Sequence, residues 1–146
     1  MTGRATMRGG VVDARETAGL YLAVSLGSAI GSVSRALVSL AAVAWLGEAF
    51  LLGTLTVNVL GSFVIGYYAT LTGPGGRIMV STRQRQFVMT GFCGGFTTFS
   101  AFSLETLMLV QTGRLPLAGL YIALSVAAWL AAARLGQALA TRSNRI

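Results

Sequence analysis

Four long apolar runs, joined by connections too short to fold by themselves, constrain this chain more than any other feature. A helix needs about 20 mainly apolar residues to cross the hydrocarbon core of a bilayer. Runs of that length lie at about 20–46, 50–71, 87–110 and 115–139. The first is long enough to tilt and holds a single charge, Arg35, whereas the second holds none. The third carries Glu105 among Gly, Thr and Phe, and the fourth has Arg134 near its end. Gly47-Glu48-Ala49 links the first pair, and 111–114, followed by Pro116, links the last. Between them, 72–86 reads as a polar turn holding Gly73-Pro74-Gly75-Gly76 and then Arg77, Arg83 and Arg85. The expectation is an all-α membrane protein with one four-helix domain over 19–140. A polar, Arg-bearing and mobile extension precedes it at 1–18, and a basic tail follows at 141–146. The apolar stretch behind the extension is too long for the h-region of a signal peptide.

Composition narrows the function classes. The chain is 54% hydrophobic and 10% charged, against about a quarter charged in soluble domains. Its net charge of +7 comes from Arg, with no Lys and no His. These Arg residues lie mostly between the apolar runs, the pattern of membrane topology and not of a continuous nucleic-acid face. With no His and Cys93 as the single cysteine, zinc sites and His-based catalytic triads have no ligands or base, so enzymatic chemistry is a poor expectation. An even number of spans puts Arg4, Arg8, Arg15, Arg77, Arg83, Arg85, Arg142 and Arg145 on one side, with Arg134 near it, and only Arg114 on the other. The positive-inside rule then places the N- and C-termini in the cytoplasm.

The third run is the unusual one. Gly91-Phe92-Cys93-Gly94-Gly95-Phe96-Thr97-Thr98-Phe99 brings three Gly and two adjacent Thr into a membrane span. These are poor helix formers, and irregular backbone at membrane depth survives only where protein or a wet cavity surrounds it. Two readings stand side by side: a helix broken at its centre to serve an ion, or close packing through the Gly91/Gly95 pair. Phe99 and Phe102 share a helix face, as do Ser100 and Ser103. Phenylalanines there face lipid or a partner helix, or else offer an anion their partly positive ring edges. In the second run, Thr54, Asn58 and Ser62 recur every four residues as one polar stripe. Such a stripe holds helices together by hydrogen bonds or donates to an anion, for which the Asn amide has two N–H groups.

Gly53-Thr54-Leu55-Thr56-Val57-Asn58, with Gly61-Ser62-Phe63 after it, resembles one signature of the CrcB/Fluc fluoride channels. Gly91 to Glu105 resembles another. Gly27, Gly31 and Arg35 in the first run and Tyr121 and Ser125 in the fourth complete a likeness that spans about 19–136. Ser32, Ala36 and Ala101 depart from the residues frequent there, and Ala101 removes a hydroxyl.

The resemblance implies a fluoride-selective channel for passive export from the bacterial cytoplasm across the inner membrane, relieving fluoride toxicity. Members of the family are antiparallel dimers with two pores. By this similarity Asn58 donates its amide to fluoride, and Phe99 and Phe102 present ring edges. Ser103, Ser125 and Thr98 supply hydroxyls beside Tyr121. Arg35 lies in a vestibule, or snorkels to a headgroup. Glu105 sits near a pore mouth, or is a structural acid paired with an Arg. Backbone carbonyls of Gly94 and Thr97 hold a structural sodium ion on the dimer axis, where oxygen ligands suit a hard cation. The strong charge bias suits a chain that inserts one way and pairs with an oppositely oriented homologue, the alternative being a dimer with itself. Two rival readings are a small four-helix drug-efflux transporter, which needs an acid in the first helix where this chain has Arg35, and a scaffold in which Gly and Phe serve packing alone.

Overall fold

The computed structural model describes residues 14–46 and 50–145, and the chain over them is helical in its four apolar runs apart from a break at Thr97–Thr98 in the third. Arg4, Arg8, most of the N-terminal extension and the Gly47-Glu48-Ala49 link lie outside the described residues. The elements are α1 (Ala14–Leu46), α2 (Phe50–Leu71), α3 (Thr82–Gln86), a π-helical segment (Phe87–Cys93), α4 (Gly94–Phe96), α5 (Phe99–Gln111) and α6 (Leu115–Ser143). From α3 to α5 they make up the third membrane span, Thr82–Gln111.

Three boundaries differ from the sequence expectation, each for a local reason. Residues 14–18 are helical and belong to α1. The adjacent Gly19 is pinned by Arg83, whose guanidinium lies 2.8 Å from where a Cβ would stand. Residues 82–86 are a helical turn instead of loop, because Ser81 and Gln84 form a reciprocal capping box. Its two hydrogen bonds are Gln84 N to Ser81 Oγ at 3.2 Å and Ser81 N to Gln84 Oε1 at 3.0 Å. Finally, α6 runs through Ser143, because Asn144 is tied to the second connection. Asn144 Nδ2 donates to Thr70 O at 3.2 Å, and Arg77 N donates to Asn144 Oδ1 at 3.0 Å.

The turn between α5 and α6 is built on Gly113, whose φ of 74° lies in the left-handed region. Gly113 N bonds to Val110 O and Arg114 N to Leu109 O, a Schellman end that satisfies two orphan carbonyls. Pro116 then opens α6 in the first turn, where a missing N–H costs nothing.

Packing joins α1 to the π segment and α4, and α2 to α6, with α2 also touching α1 and α5 lying on α6. Both main seams depend on backbones in direct contact. A Cβ on Gly27 would lie 2.4 Å from Phe87 O, and one on Gly31 2.2 Å from Phe92 O. From the opposite side, Gly91 and Gly95 would meet Val24 O at 2.8 Å and Ser28 O at 2.4 Å. Two small-residue pairs thus face each other, the packing available to helices that have no hydrophobic drive between them in lipid. Ser28 Oγ and Ser32 Oγ add long bonds of 3.4 Å to Gly91 O and Gly95 O. The second seam repeats the device: Gly136 would strike Phe63 O at 2.3 Å and Gly66 would strike Ala133 O at 2.4 Å. The outward surface is apolar, with Leu22, Leu37, Leu40 and Leu130 all exposed, as a bilayer requires.

Candidate functional site

The third span loses its helix at Thr97 and Thr98. Thr97 is extended (φ −80°, ψ 159°), as is Thr98 (φ −148°, ψ 120°). Gly94, by contrast, is helical (φ −64°, ψ −37°). Gly91 and Gly95 therefore serve the seam with α1, and the threonines make the break.

Asn58 holds that break in place from α2. Its Oδ1 accepts Thr98 N–H at 2.7 Å and its Nδ2 donates to Thr98 O at 2.9 Å. One amide thus satisfies both backbone groups of an extended residue at membrane depth, where an unmet group is costly. The second N–H of the Asn58 amide has no partner among the described residues. Gly61, one turn on, makes room for Thr97, whose methyl lies 2.2 Å from where a Cβ would stand. Thr97 Oγ1 bonds back to Cys93 O at 2.9 Å, and Thr98 Oγ1 caps α5 by accepting Ala101 N at 3.2 Å.

The break presents two helix ends of opposite polarity. The N-terminus of α5 turns its amides, and the positive end of its dipole, toward the gap. On the other side, Gly94 O loses the donor that a continuous helix would give it, since Thr98 N–H goes to Asn58. Arg35 covers the next carbonyl, with Nε donating to Gly95 O at 3.1 Å. Arg35 is therefore turned inward onto a half-helix C-terminus. Asn58, Ser62, Gly94, Thr97, Thr98 and Phe99 all line a cleft of about 470 Å³ that opens on the outside of the chain. Phe99 is 71% exposed at its rim, and a Cβ at Gly94 would meet nothing within 4 Å.

A second cluster lies one helical turn away. Glu105 is 1% exposed, and its carboxyl accepts from the Thr54 hydroxyl on one oxygen and the Tyr121 hydroxyl on the other. Within this chain the Glu105 carboxyl is enclosed, and among the described residues its partners are two hydroxyls and not an arginine. Ser125, a turn beyond Tyr121 and beside its hydroxyl, is fully buried with an Oγ that forms no well-shaped hydrogen bond. Phe102 is 6% exposed and packs edge-on against Trp129 at 4.9 Å between ring centroids. It also lies 5.3 Å from Tyr121 and 5.5 Å from Phe99. The phenylalanine pair thus runs from the open cleft to the buried carboxyl. Ser103 is exposed and spends its hydroxyl on Phe99 O at 2.9 Å.

Two participants escape sequence reasoning. Thr54 reads as part of a polar stripe, but its role as the partner of Glu105 depends on a contact 51 residues away. Trp129 lines the cleft and flanks Phe102, and its four-residue spacing after Tyr121 and Ser125 is the signal that could have found it. Among the described residues no group of His, Cys, Asp and Glu could hold a metal, so any cation here would depend on carbonyl oxygens.

Comparison with known proteins agrees with this architecture. The profile of a family described as "CrcB-like protein, Camphor Resistance (CrcB)" matches residues 22–137. The chain is similar to "Fluoride-specific ion channel FluC 1" of Rhodopseudomonas palustris (strain BisB18), with 52% identity over 134 residues, covering 92% of this chain and 95% of the relative. It is also similar to a protein of the same description from Bradyrhizobium diazoefficiens, with 52% identity over 127 residues, 87% of this chain and 88% of the relative. "Fluoride-specific ion channel FluC" of Opitutus terrae is 49% identical over 127 residues, 87% of this chain and 96% of its own. A profile match across all four spans, with relatives near half identity along nearly their whole length, shows that the chain belongs to the CrcB-like family.

Proposed function

We propose that this chain conducts fluoride passively from the cytoplasm through the bacterial inner membrane, as a channel and not as an enzyme. The observation that carries the reading is the Thr97–Thr98 break, with the Asn58 amide, the α5 N-terminus and the Phe99–Phe102 pair set around it. Fluoride gives up its water only where donors replace it. A spare amide N–H, helix-end amides and aromatic edges are such donors, each weak enough to release the ion again. The outward driving force is the membrane potential, about 2.3 kcal/mol per elementary charge per 100 mV. The relatives' descriptions as fluoride-specific channels support the same reading.

The functional unit is an antiparallel dimer with two pores, formed with itself or with an oppositely oriented homologue, and both termini of this chain lie in the cytoplasm. The outward opening of the cleft and the exposure of Phe99 support a lining completed by a second chain. A structural sodium ion on the dimer axis fits Gly94, whose carbonyl lacks its helical donor and whose Cα faces open space, together with the carbonyl of Thr97 three residues on. Bound there, the ion would tie two half-helix ends together. A hard cation suits such carbonyl oxygens.

Fluoride release from liposomes holding the purified chain, read with a fluoride electrode and repeated with chloride, tests the proposal. Fast fluoride release with little chloride release is expected. Phe99→Ile, which alters an exposed ring and leaves the core intact, should reduce that release without changing folding. A folded chain that releases no fluoride, alone or after an oppositely oriented homologue is added, would overturn the reading.

A further inference from the structure

The end of α6 carries a feature that conduction does not use. Arg134, Gln137, Ala138, Thr141, Arg142 and Arg145 line a cup of about 520 Å³. At 100° per residue Arg134, Gln137, Ala138, Thr141 and Arg142 fall on one face of the helix, and Arg145 follows just past its end. The opposite face holds Ala132, Gly136 and Ala140, buried against α2. The cup therefore looks away from the chain's own core. None of its three arginines forms an ion pair among the described residues, and of the four acids in the chain only Glu16 and Glu105 are described, Glu105 being buried.

Toward the middle of the span, the same face continues as Leu120, Leu124 and Leu130, which are 54%, 57% and 64% exposed. Leu124 and Arg134 are separated by roughly 15 Å along the helix at 1.5 Å per residue, about the depth of one leaflet in a core roughly 30 Å thick. An apolar stripe ending in a basic cup complements an amphiphile whose head is an anion. We propose that this face binds an anionic phospholipid, with its phosphate held by Arg134, Arg142 and Arg145 and an acyl chain along the leucines. Planar guanidinium groups suit phosphate oxygens in a way that an ammonium does not. A free phosphate would share the head contacts but leave the stripe bare.

The test uses the purified, detergent-solubilised protein and native mass spectrometry, with phosphatidylglycerol, phosphatidylcholine and inorganic phosphate as separate probes. Phosphatidylglycerol should be retained over phosphatidylcholine. The triple variant R134Q/R142Q/R145Q should lower that preference by up to about a hundredfold, near fivefold per arginine. L124S/L130S should weaken retention with the arginines intact. Fluoride release in neutral liposomes should be unchanged in both variants, which shows that they fold. Equal retention of the two lipids by the wild type, or a preference that survives the triple variant, overturns the proposal. Inorganic phosphate displacing the lipid as well as phosphatidylglycerol does would show an anion site without a lipid site, and overturns it too.

Discussion

Two side chains from different helices each make a pair of hydrogen bonds at membrane depth. Asn58 donates to and accepts from a single backbone residue, Thr98, and Glu105 is met by two hydroxyls. Asn58→Ala removes both partners of a half-buried extended residue. Its expected cost is about 1–3 kcal/mol for each group left unmet, seen as a lower melting midpoint in detergent together with lost fluoride release. A variant that melts like the wild type would show that Thr98 does not depend on the amide. Tyr121→Phe deletes one donor to Glu105 while keeping the ring against Phe102. It should cost about 1–3 kcal/mol, and stability equal to wild type would mean that the phenol contributes only packing. The importance of these residues was legible in the sequence, because a polar group in a membrane span must have a partner. The partners were not legible, since Asn58 meets Thr98 40 residues away and nothing local encodes that pairing. The inward turn of Arg35 was hidden for the same reason: a carbonyl becomes an acceptor only once the other helix has ended.

At the scale of elements, helix seams are set by glycine and the break by threonine. Gly31→Ala and Gly95→Ala would each drive a methyl group into a backbone atom at 2.2–2.4 Å, which neither helix can yield without moving. Both should lose about 1–3 kcal/mol, the usual cost of overpacking, and thermal melting with far-UV circular dichroism would show it. Gly119→Ala is the control, since a methyl group there meets nothing within 4 Å. It should gain about 0.5–1 kcal/mol from the better helix former. The four spans were read from apolar length alone, because in a bilayer that length is dictated by the solvent. The break was expected across the Gly-Gly and Thr-Thr stretch, at Gly94 and Thr97; its extended residues are Thr97 and Thr98, held by Asn58 from α2, while Gly94 stays helical. The capping box that turns 82–86 into helix was present in the residues as Ser81 and Gln84, masked by the arginines that made the segment look like loop.

For the whole molecule, the charge asymmetry is structural as well as compositional. Arg83 against Gly19, Arg77 on Ser143 and Asn144, and Asn144 on Thr70 gather the first helix, the second connection and the end of α6 at one pole. Arg114 stands at the other. In a Cys93→Ser background, a cysteine placed at Arg145 should be labelled from the cytoplasmic side of native membranes, and one at Gln111 from the periplasmic side, in nearly all chains. Equal labelling from both sides would show that the chain inserts both ways, and a partner of opposite orientation would not then be required.

The open space around Gly94 bears on how this gene can drift. Four glycine codons along the α1 seam are constrained whether or not another subunit is present, since the obstructing atoms belong to the same chain. At Gly94 the chain itself imposes no such veto, so purifying selection there would point outside the chain, to the second copy and bound ion proposed above. A saturation library grown under fluoride would therefore report on quaternary structure through the fate of one codon, with the seam glycines as its internal standard.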